Sequence, residues 1–294
     1  MRDSLDSDSL GAALVTSGRP WRGVEFHPAL GSTNSRLREM LTDTTQPYAA
    51  VSGQPAPGLW WVVLTDHQTG GRGRLGRAWT VPDRASLAVS VAVPVSDPTQ
   101  AGWLPLLAGL ALSRAVREVT VAAGRELTPR LKWPNDVLLA DDADRKLSGI
   151  LCELVGVGEA AAVVIGTGVN IDQRRDELPV DTATSLALAG VDVRREDLLV
   201  AYLDHLVAVL PQVGANPAGV VGAPDAEAGH TAYREACSTI GLGVRVHLPA
   251  GDAVEGTAVA VDDDGALVVR TDRGTRTFAA GDVVHVRPAV GGLA

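Results

Sequence analysis

The chain is short of cysteine, of aromatics other than tryptophan, of positive charge and of long apolar runs, and each shortage excludes something. Its 294 residues hold two cysteines, Cys152 and Cys237, far apart and in no Cys-x-x-Cys pattern. That excludes a disulfide framework and a cysteine-rich zinc site, and it fits a reducing compartment. No stretch reaches the roughly 18 uncharged apolar residues that a membrane span needs. Residues 1–10 are acidic and Ser-rich, without the basic and apolar regions of a signal peptide. These features describe a cytoplasmic globular protein. The 26 Lys and Arg against 35 Asp and Glu leave a formal net charge of -9, so the surface as a whole repels nucleic acid. A basic cluster in such a chain reads as a local anion site. Six Trp stand against three Tyr and two Phe, so the tryptophan positions carry information.

The length accommodates one large domain with a small one, or two of middling size. Residues 1–20 are expected to form a mobile tail. Gly31-Ser32-Thr33-Asn34-Ser35 looks like a helix start, with Leu37, Met40 and Leu41 supplying an apolar face. Residues 60–66 form a short buried-strand pattern. In 86–95, Leu87, Val89, Val91 and Val93 alternate with small residues, which predicts a strand with one buried face. Residues 101–124 have helical spacing, mildly broken by Pro105. Strands are predicted over 136–140, 147–155 and 161–169, with adjacent antiparallel pairing, and an amphipathic helix over 196–210. After Cys237 the pattern changes to short β-like runs at 244–248, 254–261, 266–271, 276–278 and 282–286. Asp262-Asp263-Asp264-Gly265 and Asp272-Arg273-Gly274 punctuate them as hairpin turns. Five short strands in about 50 residues predict a small barrel.

Four clusters carry chemistry. Gln68-Thr69-Gly70-Gly71-Arg72-Gly73-Arg74-Leu75-Gly76-Arg77-Ala78-Trp79 follows a strand directly. Its glycines let backbone approach a ligand, and its interspersed arginines suit phosphate and carboxylate groups. It is neither a P-loop nor a dinucleotide fingerprint, and a solvated flexible loop has the same composition. Leu131-Lys132-Trp133-Pro134-Asn135-Asp136 is a Pro-restricted turn with polar side chains, readable also as an ordinary strand end. Arg145-Lys146-Leu147-Ser148-Gly149-Ile150-Leu151-Cys152-Glu153 places a lysine at the start of a strand and a glycine three residues on. The lysine is either solvated or aimed at a reacting anion, with Gly149 making room. Gly166-Thr167-Gly168-Val169-Asn170 ends a buried strand, either as a turn or as a glycine-floored wall.

In this order, and with Ser32-Thr33-Asn34 upstream, the four clusters resemble the biotin–protein ligase family over about residues 25–175. The resemblance implies an α+β fold like that of class II aminoacyl-tRNA synthetases and biotin ligases. That fold is a mixed, largely antiparallel sheet packed with helices, followed by a small C-terminal SH3-like β-barrel. It implies a catalytic domain over 21–238 and a barrel domain over 239–294. The implied activity uses ATP with Mg2+ to convert biotin to biotinyl-5'-AMP. It then transfers biotin to a lysine of the biotin carboxyl carrier domain of an acyl-CoA carboxylase.

By the same resemblance, Ser32, Thr33, Asn34 and Gln68 meet the ureido ring and its surroundings, although Thr33 and Asn34 also fit a helix cap. Arg72, Gly73 and Arg74 fold over the carboxylate and phosphate, and Arg72 joins Lys146 as a catalytic residue. Lys146 bridges carboxylate and α-phosphate. Gly149, Gly166 and Gly168 line the walls, and Trp79 and Asn170 neighbour the adenylate. Asp136 either orients the acyl group or holds a metal, and no dedicated protein metal site is expected. Only 31 residues precede Ser32 and they lack a helix-turn-helix pattern. The expectation is therefore the single-function form, without DNA or membrane binding, as a monomer or weak homodimer. A lipoate–protein ligase, a biotin-sensing DNA regulator and a barrel-based interaction module are the rival readings.

Overall fold

The computed structural model describes residues 2–42, 60–95, 98–156, 161–210, 226–248, 252–279 and 282–285. Residue 286, the end of the last predicted strand, lies outside them. In chain order the elements begin with α1 (Ser7–Leu14), β1 (Gly23–His27), α2 (Thr33–Thr42), β2 (Trp61–Thr65) and β3 (Ser86–Pro94). They continue with α3 (Leu104–Ala122), β4 (Pro129–Lys132), β5 (Asp136–Leu139), β6 (Arg145–Val155), β7 (Ala162–Asn170), α4 (Arg195–Val209) and α5 (Ala226–Ala236). The first seven strands form one sheet in the order β1-β2-β3-β7-β6-β5-β4. Only β1 and β2 pair in parallel, so the sheet is mixed and largely antiparallel as expected.

The two faces of this sheet differ in side-chain size. On β3, Leu87, Val89, Val91 and Val93 point one way, and the small Ala88, Ser90 and Ala92 the other; all are buried. Both faces are therefore covered, where the alternation predicts one. Helices α3 and α4 pack on the large-residue face, where Gly109 of α3 lets the helix approach Leu131 and Ile150. Helix α2 packs on the small-residue face against β2, β3, β6 and β7. Burying each Leu or Val on the first face contributes about 1.5–3 kcal/mol, so that face anchors the sheet. The second face is left with space. Pro105 does not break α3, because it falls in the first turn, where a missing N–H leaves no bond unmade.

The chain's beginning corrects an expectation. Residues 1–20 are not a tail over the described part: Asp6 caps α1 by accepting from the Ser9 N–H, and Leu10 and Leu14 are buried in the core. Two leucines on a short helix give little periodic signal, and tertiary packing supplies the stability.

The C-terminal strands β8 (Gly243–His247), β9 (Ala253–Val261), β10 (Leu267–Thr271), β11 (Gly274–Phe278) and β12 (Asp282–His285) form an antiparallel sheet ordered β11-β10-β9-β8-β12. The turn between β9 and β10 seats it against the first sheet. Trp103 Nε1 donates to the Asp263 carbonyl at 2.7 Å, and Trp133 Nε1 donates to the Gly265 carbonyl at 3.0 Å. Gly102 faces this turn so closely that a Cβ there would overlap the Asp264 carbonyl. Thr239 Oγ1 accepts from the Trp133 N–H at 3.0 Å and lies 3.1 Å from His285 Nε2. The end of β4 at Lys132 and the turn residue Trp133 after it are thus fixed from the C-terminal side.

Candidate active site

The small-residue face becomes a trough because glycines meet across strands. Gly149 of β6 pairs with Gly168 of β7, which pairs with Ala88 of β3; one step along, Leu151, Gly166 and Ser90 align in the same way. The missing Cβ atoms are required by what sits above. At Gly168 a Cβ would lie 2.6 Å from the Trp79 ring, and at Gly166 it would overlap the Asn34 side chain. At Gly149 it would lie 3.1 Å from Lys146 Nζ and 3.4 Å from Trp79. The three predicted wall glycines therefore do form one floor.

Lys146 reaches this floor through a change of register. The pairing of β5 with β6 slips between Val137 and Leu138, leaving Leu147 as an extra residue, so that Leu138 pairs with Lys146. One extra residue reverses the alternation and brings Lys146 to the face occupied by Gly149 and Asp136. There its Nζ lies 2.6 Å from Asp136 Oδ1 and 5.9 Å from the centre of a Trp79 ring. The backbone is pinned on its other edge, with Lys146 N–H donating to the Thr182 carbonyl and Thr184 N–H to the Lys146 carbonyl. Asn135 Nδ2 donates to the Ile150 carbonyl at 2.7 Å, which holds the turn before Asp136 against β6.

At the start of α2 the polar side chains form a connected set. Thr33 N–H donates to Gln68 Oε1 at 3.0 Å, so Gln68, not Thr33 or Asn34, accepts from this backbone amide. Ser90 Oγ lies 2.6 Å from both Thr33 Oγ1 and Asn34 Oδ1. The amide oxygen can only accept, so the Ser90 proton goes to Asn34, and the Thr33 hydroxyl is left to donate to Gln68 or Ser90. Asn34 Nδ2 donates to Glu153 Oε2 at 2.7 Å and to the Leu151 carbonyl at 3.2 Å. Ser32 closes the group, lying within 3.4 Å of the Ser35 N–H. Sequence reasoning misses Ser90, and it gives Glu153, the last residue of the third cluster, no role. Each is an ordinary strand residue by itself, and only the register of β3, β6 and β7 brings it here.

The Gly/Arg segment folds back as a small hairpin over this end of the sheet. Arg72 bridges to Ala78, Gly73 N–H donates to the Arg77 carbonyl at 2.6 Å, and Arg74–Gly76 makes a single tight turn. Leu75 at its tip is exposed and adopts a left-handed conformation (φ 57°, ψ 31°), which costs a branched-chain residue energy. Arg72 Nη2 donates to Ser35 Oγ at 3.0 Å and lies 3.7 Å from Glu153. Arg74 is close enough to Cys152 to act on its charge, although burial dominates there and pushes that thiol up to about 12. Cys152 is therefore uncharged at neutral pH, and alternation along β6 turns it away from the trough face of Gly149 and Leu151.

Two predicted residues stand differently. Asn170 is on the trough face, yet both ends of its amide are used: Nδ2 donates to the Thr184 carbonyl and Oδ1 accepts from Gln173. It supports the segment that pins Lys146, and a direct ligand contact needs one of those bonds to break. Trp79 covers the floor, and its Nε1 is buried with no acceptor in the described structure. The chain has only two lysines, Lys132 and Lys146, and the strand pairing sets Lys132 opposite Asp136. In a chain that otherwise uses arginine, one lysine pairs with the Asp136 carboxylate and the other stands opposite Asp136 in the strand register. That signal was available in the residue count.

Among the described residues no group of three or more His, Cys, Asp or Glu side chains is placed to hold a metal ion. A cleft of about 490 Å3 is lined by Arg2, Asp83, Arg84, Asp172 and Arg174, none of them trough residues. Its arginines are paired with carboxylates, including Arg2 with Asp172 and Arg174 with Glu177, so its charge is already balanced.

Comparison with known proteins agrees with this geometry. The model of the biotin/lipoate A/B protein ligase family matches residues 41–170, and that of the biotin protein ligase C-terminal domain matches residues 239–286. The biotin–[acetyl-CoA-carboxylase] ligase of Mycobacterium tuberculosis is 37% identical over 290 residues, covering 98% of each chain. The biotin protein ligase of Aquifex aeolicus, solved with biotin and ATP, has the same fold, with a TM-score of 0.67. It is 24% identical and covers 91% of this chain and 100% of its own. The Leishmania major enzyme solved with biotinyl-5-AMP is 27% identical, with a TM-score of 0.54, covering 87% and 98%. With one relative so similar along its whole length, the chain belongs to the biotin/lipoate A/B protein ligase family, among its biotin protein ligases.

Proposed function

We propose that the trough joins biotin to ATP and hands the product to a carrier lysine, as a biotin–[acetyl-CoA-carboxylase] ligase. The observation that carries this reading is the Lys146–Asp136 pair set at 2.6 Å beside a glycine floor and beneath an arginine-bearing loop. In the first step a biotin carboxylate oxygen attacks the α-phosphorus of Mg-ATP, and the bond to pyrophosphate breaks. Two anions must meet, so fixed cations have to offset both of them and the charge that gathers at phosphorus. Lys146 is the bridging cation, held in place by Asp136, and Arg72 and Arg74 lie on the loop that covers the phosphate. In the second step the carrier's lysine amine attacks the acyl carbon, an amide bond forms, and AMP leaves.

The polar group Ser32, Thr33, Asn34, Gln68 and Ser90 offers donors and acceptors of the kind a ureido ring requires, and Glu153 orients Asn34. Gly149, Gly166, Gly168 and Gly73 admit the ligand, and Trp79 presents an aromatic face and an unpaired N–H toward the adenylate. Asn170 acts by holding the Thr184 segment. In this reading the catalytic unit runs to residue 238 and takes in α1, whose leucines pack in its core, the barrel covers 239–294, and the enzyme works in the cytoplasm as a monomer or weak homodimer. Its partners are biotin, ATP and the carrier domain, without DNA or membrane. Among the described residues no helix is long and apolar enough to cross a membrane.

The test is pyrophosphate release on mixing the protein with biotin and Mg-ATP, repeated with lipoate in place of biotin. Biotin-dependent release with no response to lipoate is the expected result. Release with lipoate alone would move the chain to the lipoate branch.

A further inference from the structure

The first residues of the described chain make many bonds, and these converge on the base of the Gly/Arg loop. The loop leaves the sheet at Asp66, just after β2, and returns at Arg84, just before β3. Its two stems are joined there: Arg84 N–H donates to the Asp66 carbonyl at 2.9 Å, and Arg84 Nε lies 3.5 Å from the Asp66 carboxylate. Residues 2–5 bind to both stems. Ser4 Oγ donates to Asp66 Oδ2 at 2.5 Å, Leu5 N–H donates to Asp66 Oδ1 at 3.2 Å, and Arg84 Nη1 donates to the Arg2 carbonyl at 3.3 Å. Arg195 at the start of α4 completes the joint, 2.9 Å from Asp66 Oδ1 and donating to the Asp3 carbonyl at 2.5 Å.

The arm is itself held down at both ends. Arg2 pairs with Asp172 at 2.8 Å and with Glu177 at 2.6 Å, while Leu5 is buried ahead of α1. Asp66 is 2% exposed, and a carboxylate that deep persists only when its lone pairs are filled. Two of the groups that fill them come from the arm. Gln68 follows Asp66 by two residues and Trp79 precedes Arg84 by five, so freedom gained at this joint is passed to groups that face the trough.

We propose that the N-terminal arm is a clamp on the hinge of the Gly/Arg loop, with Ser4 and Asp66 as positioning residues for its closure over the adenylate. The proposal rests on the reading of that loop as the cover of the trough. It makes the arm part of the machinery that retains biotinyl-AMP, although none of its residues touches the ligand.

The test compares the full chain with Ser4→Ala and with a variant lacking residues 1–5, which keeps Asp6 as the cap of α1. Three quantities are read: the release rate of biotinyl-AMP formed in place, tryptic cleavage after Arg72, Arg74 and Arg77, and the melting temperature. The deletion is expected to release the adenylate about tenfold faster and to speed loop cleavage by a similar factor. The KM for biotin rises in step, while the single-turnover rate of transfer from bound adenylate changes by less than about twofold. Ser4→Ala moves the same quantities by about two- to threefold, and it carries the test alone if the deletion fails to fold. A lower melting temperature with unchanged release and cleavage overturns the proposal, because the arm would then be structural only. If the full chain forms no adenylate, the activity reading fails separately, and the cleavage comparison still decides the clamp.

Discussion

The sheet is met at its small-residue face by the trough and on the C-terminal side by the β9–β10 turn, and the two contacts follow opposite rules. At the turn every indole N–H has a partner: Trp103 and Trp133 both donate to carbonyls of the turn. At the trough Trp79 keeps its N–H buried and unpaired, three glycines leave gaps in the floor, and Lys146 retains partial exposure. A contact that only holds the fold together loses by leaving a donor unmet. A contact that must admit a ligand keeps space and unmet groups, and tolerates the cost. An unmet donor alone is not diagnostic, since Trp21 Nε1 is also unpaired, in a packed corner against Trp60. The combination of unmet donor, glycine floor and mobile-length cations is what sets the trough apart.

The comparison breaks most directly at Lys146. Lys146→Ala should lower pyrophosphate release by about 10²–10³-fold with the melting temperature little changed, and Lys146→Arg should rescue little of it. A wider planar guanidinium cannot take the place of an ammonium held between Asp136 and the Trp79 ring. Near-normal release by either variant would remove the lysine from its role. Next in size is Gly168→Val. Its side chain must displace the Trp79 ring, and the biotin Kd measured by calorimetry should rise at least about tenfold. An unchanged affinity would show that the floor is not where biotin lies.

The opposite substitution lies at the turn. Trp133→Phe leaves the Gly265 carbonyl unmet and should cost about 1–3 kcal/mol in denaturant unfolding, while the biotin Kd changes by less than about twofold. A large loss of affinity with no loss of stability would reverse the assignment of scaffold and site. The smallest effect is one of pH. Burial, and then the nearby Lys132, pull His285 down from its ordinary value near 6.5 to about 4, and burial lowers His230 in the same direction. A histidine lowered in the fold is neutral there and takes up a proton more readily when unfolded. Its contribution is therefore complete above about pH 6.5 and is lost as pH falls toward 4. The melting temperature should decline over that window, and His285→Gln should flatten the decline. An identical decline in the variant would assign it to other groups.

Much of this was legible in the sequence because the site is built from local clusters in a fixed order. Gly149, Gly166 and Gly168 were visible as glycines inside strand patterns, where their absence of a side chain has few other uses. The antiparallel run β5-β6-β7 followed from short connections. What was not legible depends on tertiary context. β1 lies at a sheet edge with every residue half-buried, so it has no clean alternation, and β4 is four residues long and starts at Pro129. Helix α1 has two buried leucines and no stripe. The change of register that turns Lys146 into the trough, and the alignment of Ser90 and Glu153 beneath Asn34, exist only once strands are paired.

One measurement bears on the whole account. The protein is mixed with a biotin carboxyl carrier domain, biotin and Mg-ATP, and the intact mass of the carrier is followed. The account predicts a gain of one biotinyl group on a carrier lysine, strictly dependent on ATP and absent when lipoate replaces biotin. A carrier mass that stays unchanged while a known ligase labels the same preparation would contradict it.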